Sequence, residues 1–215
     1  MVSRFILGVV LGAVLCAPVL AAEPGPAQKP PGAPGLSPKP DWVTPPNEAP
    51  RSGRERTYNL DTLFEGLKIA PDTDSARAIE QRIWSLWMAS GSNTCNLLMA
   101  RVKAATEDKD FDLAIKLLDA VIELKPNYTE AWNRRATVYF LQKDYGHALA
   151  DIHEVLSREP RHFGALSGLG LILQEIGDEK HALEAYRRAL AIDPHLENID
   201  DVVKTLREKV EGRDI

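Results

Sequence analysis

His147 and His181 stand 34 residues apart and could meet as a pair of imidazole metal ligands. A zinc site needs at least three protein ligands, and no third His, Cys or carboxylate pattern is tied to these two. They are expected as exposed surface histidines, while His162 and His195 fall in turns and His153 is isolated. Cys95 lacks a base poised to activate it, so it reads as a small apolar residue at the start of a helix. Gly164, Gly168 and Gly170 lie within a helix pattern, without the strand and lysine that a phosphate-cradling loop requires. Asn127-Tyr128-Thr129 fits a glycosylation acceptor, which matters only in a eukaryotic secretory pathway. No acid, base, nucleophile or metal set converges, so neither catalysis nor a cofactor is expected.

What could position a functional surface is a repeat. Thr129 to His162 carries Ala131, Trp132, Ala136, Tyr139, Tyr145, Ala148, Val155 and Pro160. Thirty-four residues later the same slots hold Ala165, Leu166, Gly170, Leu173, Glu179, Ala182, Ala189 and Pro194. Cys95 to Tyr128 offers Leu97, Leu98, Val102, Ala105, Phe111, Ala114, Val121 and Pro126.

Each slot has a mechanical reason. Trp132, Arg135, Ala136 and Tyr139 fall at i, i+3, i+4 and i+7, which puts them on one stripe of a helix. Tyr145, Ala148, Leu149, Ile152, Val155 and Leu156 make the second stripe of the copy. Ala136, Ala148, Gly170 and Ala182 allow two axes to approach closely. Pro126, Pro160 and Pro194 each end a second helix. One such unit cannot bury its apolar face, so copies must stack.

The flanks have the pattern of caps. Glu197 to Val210 sets Ile199, Val202, Val203, Leu206 and Val210 against a charged face, as a terminal helix should. Upstream, residues 58–94 read as a degenerate copy: Asp61 lies one period before Cys95, and Asp61 and Asp74 are candidate N-caps. Trp84, Trp87 and Met88 form an aromatic stripe there. Its two readings are packing against Leu98 and Val102 as an N-terminal cap, or a self-association surface.

These residues resemble the tetratricopeptide repeat, a helix-turn-helix unit of 34 residues. The resemblance implies an all-α, right-handed solenoid with copies at 95–128, 129–162 and 163–196 and a cap over 197–215. It also implies a concave groove lined by the first helix of each pair, for a protein or peptide partner. Mapped onto this sequence, the groove positions are Asn96, Met99 and Lys103, then Glu130, Asn133, Arg134 and Thr137, then Gly164, Ser167, Leu171 and Gln174. Asn133 and Arg134 are the best candidates for polar contacts, although Arg134 could instead pair with Glu130. The chaperone-binding members of the family clamp a terminal carboxylate with Lys, Asn and Arg; Met99, Gly164 and Gly168 stand where that clamp should be, so that ligand is not expected.

Arg4, the apolar run Phe5 to Leu15, Pro18 and Ala21-Ala22 have the order of a secretory signal cleaved before Glu23. Phe5 to Ala22 also reaches the lower limit of a spanning helix, which leaves an uncleaved inner-membrane anchor as the alternative. Leu15 occupies a lipobox position that needs a small residue, so Cys16 is not read as a lipidation site. A periplasmic protein with one cysteine, Cys95, and no internal disulfide follows. Residues 23–57 form a linker, with ten of the fifteen prolines between Glu23 and Pro50 and almost no aliphatic side chains. Its apolar Trp42 is either incidental or an anchor. The net charge of −5, with Lys103, Arg134 and Arg135 scattered, offers no basic stripe for nucleic acid. The expected protein is a monomeric, non-enzymatic interaction module, soluble after cleavage. Its alternative is an assembly factor acting through the Trp84/Trp87 helix.

Overall fold

The computed structural model describes residues 53–196 and 199–212. The signal, nearly all of the linker, Trp42 and the chain's last three residues lie outside the described residues. Within them the chain is all-α: α1 Gly53–Lys68, α2 Thr73–Met88, α3 Asn93–Glu107, α4 Phe111–Leu124, α5 Thr129–Leu141, α6 Tyr145–Arg158, α7 Phe163–Glu175, α8 Glu179–Ile192 and α9 Ile199–Val210.

The 34-residue period sets the starts of α4, α6 and α8. Each is capped by the aspartate just before it, with Asp110, Asp144 and Asp178 accepting the amides of Leu113, His147 and His181. The turn before each cap needs a left-handed residue, supplied by Lys109 (φ 61°), Lys143 (φ 62°) and Gly177 (φ 86°). Apolar faces then stack in sequence. Met99, Val102, Leu118 and Val121 pack with Tyr128 at the end of their own copy and with Ala131 and Val138 of the next. Ala136, Ala148, Ile152 and Val155 pack with Ala165 and Ile172, and Leu183 and Tyr186 pack with Leu206 of α9. The small slots are needed: a Cβ on Gly170 would lie 2.7 Å from the Tyr186 ring. Arg135, on the inward stripe, is held by two hydrogen bonds of 2.8 Å to buried Asp151 and one of 2.6 Å to Asp119, linking α4, α5 and α6.

The N-terminal hairpin departs from the expected register. α1 starts at Gly53, inside the stretch read as linker, so Asp61 is mid-helix; α2 is capped by Asp72 rather than Asp74, its carboxylate accepting Ser75 N–H at 2.8 Å. Nor do its aromatic residues pack on Leu98 and Val102. Leu60, Phe64, Leu67, Ile83 and Trp87 share a core with Phe163, Ile192 and Leu196, so the hairpin lies against the starts and ends of later helices instead of extending the stack by one repeat. The connection explains the difference. The repeats are joined through Pro126 and Pro160, whereas α2 leads to α3 through Ala89-Ser90-Gly91-Ser92, with Gly91 at φ 71°.

Candidate functional site

The first turns of α3, α5 and α7 carry the groove positions nearest the inter-repeat turns; α2 and the residues after it lie against them, although Asn96 and Arg134 stay exposed. Ser90, just beyond α2, donates from Oγ to Asn96 Oδ1 at 2.6 Å. Arg134 Nη2 approaches Met88 Sδ at 3.6 Å. Trp84 rests on Gly164 so closely that a Cβ there would lie 2.8 Å from the indole. The absent side chain makes the space.

Glu130 organises this surface although it is fully buried. Its Oε1 accepts Arg134 Nε at 2.7 Å and its Oε2 accepts Asn133 Nδ2 at 3.0 Å. A buried carboxylate requires such partners, and the first turn of α5 adds the favourable end of the helix dipole. Arg134 therefore makes the intrahelical pair, yet its side chain stays 47% exposed. Two candidate positions are corrected here. Glu130 and Met99 are buried and not presented to an external partner in this conformation; Met99, 8% exposed, belongs to the α3–α4 core because position 99 continues the apolar stripe of Cys95 and Val102.

The remaining candidates separate by exposure. Lys103 is exposed beside Glu107 at 3.8 Å, and exposed Thr137 returns its hydroxyl to Asn133 O at 3.0 Å. Half-buried Ser167 donates to Phe163 O at 2.9 Å, half-buried Gln174 accepts the Tyr186 hydroxyl at 2.7 Å, and Leu171 is half-buried. Burial pushes the Tyr186 phenol well above its ordinary range, which keeps it a donor to Gln174.

Sequence reasoning missed His162 and Phe163. His162 is fully buried; its Nδ1 accepts Ala165 N–H at 3.0 Å and caps α7, which leaves the proton of the neutral ring on Nε2. That Nε2 lies 3.5 Å from Glu130 Oε2, outside hydrogen-bond geometry. Trp87 stacks flat on the imidazole, with centroids 4.0 Å apart and planes 8° apart. Trp84 meets Trp87 and Phe163 edge-on at 5.2 and 5.6 Å. Arg161 closes the edge, pairing with Asp61 of α1 at 2.5 Å and lying 4.4 Å over the Phe64 ring. A signal for His162 existed: its slot holds buried Tyr128 one period earlier and Leu196 one period later.

His147 and His181 are exposed and turned back to the caps of their own helices, with Nδ1 2.6 Å from Asp144 and 2.7 Å from Asp178. Among the described residues no group of three metal-ligating side chains gathers, and no helix is long and apolar enough to cross a membrane.

The tetratricopeptide-repeat pattern matches residues 163–196 in one form and 99–152 in a second. A TPR repeat-containing protein of Rhizobium etli is 44% identical over 153 residues, 71% of this chain and 75% of its own. The chain belongs to the tetratricopeptide-repeat family. The small glutamine-rich tetratricopeptide repeat-containing protein 2 of Saccharomyces cerevisiae is 32% identical over 89 residues, 41% of this chain and 26% of that one. Among solved structures, the first TPR of Spaghetti (RPAP3), bound to the HSP90 peptide SRMEEVD, aligns with a TM-score of 0.53 at 18% identity, covering 56% of this chain and 95% of that one. The Sgt2 TPR domain of Aspergillus fumigatus aligns at 0.52 with 23% identity, over 56% and 81%. At these identities the structural likeness shows the fold alone, an all-α TPR solenoid; the repeat family it belongs to is one of protein or peptide interaction modules.

Proposed function

We propose that this TPR protein is a non-catalytic interaction module of the bacterial cell envelope that takes a protein or peptide on the concave faces of α3, α5 and α7. The observation that carries this reading is the line of accessible side chains beyond the hairpin's cover, with exposed Lys103 and Thr137 at corresponding positions on consecutive first helices and Leu171 following on the third. Arg134 stands at the border of that line, already oriented by Glu130. A chaperone-type carboxylate clamp is not part of the proposal, because Met99 is buried and Gly164 lies under Trp84. Periplasmic location rests on the Arg4, Phe5–Leu15, Pro18, Ala21-Ala22 order.

Crosslinked capture from intact cells tests the reading. Thr137→Arg, on an exposed position, should abolish capture of the partner while leaving the melting temperature unchanged. Equal capture by the variant moves the site off this groove. Intact mass of the exported protein should show a start near Ala22 or Glu23; a mass retaining residues 5–22 in the membrane fraction overturns the cleaved form. Self-association through the Trp84/Trp87 helix is disfavoured, since Trp87 is 8% exposed and packed within its own chain.

A further inference from the structure

We infer that the surface formed by Tyr128, Glu130, His162, Phe163 and Gly164 is a helix-binding site, with α2 as its resident occupant. Its external ligand is an amphipathic helix that bears two aromatic side chains three residues apart. The inference rests on the reading of the solenoid as an interaction module and extends it to a second part of the same face.

The contacts are those of a ligand in a site. The two indoles of Trp84 and Trp87, at i and i+3 on α2, enter the surface side by side, one over the bare Gly164 backbone and the other flat on His162. The aromatic end is thus matched in shape and ring geometry. The polar edge is matched in charge by Arg161 against Asp61.

The hairpin reaches this surface without belonging to the repeat stack. Four residues, 89–92, join it to α3. Their ends are fastened by the Tyr128 hydroxyl on Met88 O at 2.8 Å and by the Lys125 ammonium on Ser90 O, which leaves a fixed pivot beside the site. A tether this short supplies a high effective concentration, so α2 holds the site unless a competitor binds with greater intrinsic affinity.

The docked state is also imperfect where the two parts meet. Trp87 Nε1 is buried without a protein hydrogen-bond partner, and His162 Nε2 beneath it has only the Glu130 carboxylate, at 3.5 Å. A competing helix with phenylalanine at the Trp87 position buries no unpaired indole N–H and so avoids the penalty that α2 brings.

The probe is a fluorescent synthetic peptide of residues 73–92, offered to the full-length protein. Wild type should bind it at least about 10-fold more weakly than the Trp84→Ala/Trp87→Ala double variant, whose own hairpin no longer fills the site. Adding Gly164→Leu to the double variant should remove binding. Equal binding by wild type and the double variant, or binding indifferent to Gly164→Leu, overturns the inference. Native-state hydrogen exchange on wild type does not depend on how the variants fold. Amides of α1 and α2 should exchange through local opening while those of α5 to α8 stay protected. If both sets exchange only together, the hairpin is not displaceable and the inference fails, whereas capture by the Lys103–Thr137 face stands or falls separately on Thr137→Arg.

Discussion

The N-terminal hairpin and the second repeat are both pairs of antiparallel helices with an aromatic stripe, yet one extends the solenoid and the other lies across it. In the repeat, the stripe is distributed over both helices, so that Trp132 and Tyr139 of α5 join Ala148 and Ile152 of α6 to bury the face of the next copy. In the hairpin, the large rings gather at the end of α2 and meet the starts of later helices at Phe163 and Gly164. The joints complete the contrast: Pro126 and Pro160 lead one repeat into the next, while Gly91 lets the chain turn away before α3. Helical pairing alone does not make a repeat; the position of the bulk and the geometry of the exit decide it.

If the two regions are distinct in stability, core truncations should behave differently in each. Leu118→Ala, at a fully buried position within the stack, should lower global stability by about 2–5 kcal/mol in a denaturant melt. Trp87→Ala should instead raise the exchange of α1 and α2 amides with a smaller change in the main transition. Equal losses in the melt would erase the distinction. Overpacking the stack comes next: Ala148→Leu and Ala182→Leu should each cost about 1–3 kcal/mol, because both alanines are fully buried where helices cross. An unchanged midpoint for either would mean that the crossing is looser than the burial shows.

The seam between the regions should also respond to pH. Burial raises the carboxyl of Asp193 above its ordinary value of 3.8, against Glu80 from α2 and His195 on the following segment. Docking is therefore fully favoured below about 3.8 and weakens as pH rises through the raised value, when the buried group must ionise. Asp193→Asn should flatten this part of the profile of hairpin exchange against pH. An unchanged profile would mean that Asp193 does not titrate with docking.

The smallest effect belongs to the turns. Lys109→Gly and Lys143→Gly, at left-handed positions where the third copy already has Gly177, should each raise stability by about 0.5–1 kcal/mol in the same melt. A loss would mean that the lysine stems contribute more than the backbone relief.

The solenoid was legible because its signals are local and repeated. Pro126, Pro160 and Pro194, the small slots at Ala136 and Ala148, and the α9 stripe each state a constraint within one turn or one crossing. The Trp84 and Trp87 stripe announced burial, but spacing on α2 says nothing about which distant surface receives it, since Phe163 and His162 lie more than seventy residues away in sequence. Glu130 was misread for a related reason: a carboxylate in the first turn of a helix is usually exposed, and only Arg134, Asn133 and the hairpin above make its burial tolerable. The Arg134–Glu130 pair, by contrast, was visible as a spacing of four.

The most direct measurement is a nuclear Overhauser spectrum of the wild-type protein at a concentration where it is monomeric, with the indole protons of Trp84 as the source. Cross-peaks to Gly164 and Phe163, with the Gly164 α protons shifted by the ring above them, are expected. Cross-peaks to Leu98 and Val102 in their place would return the hairpin to the end of the stack and contradict its placement across α5 and α7.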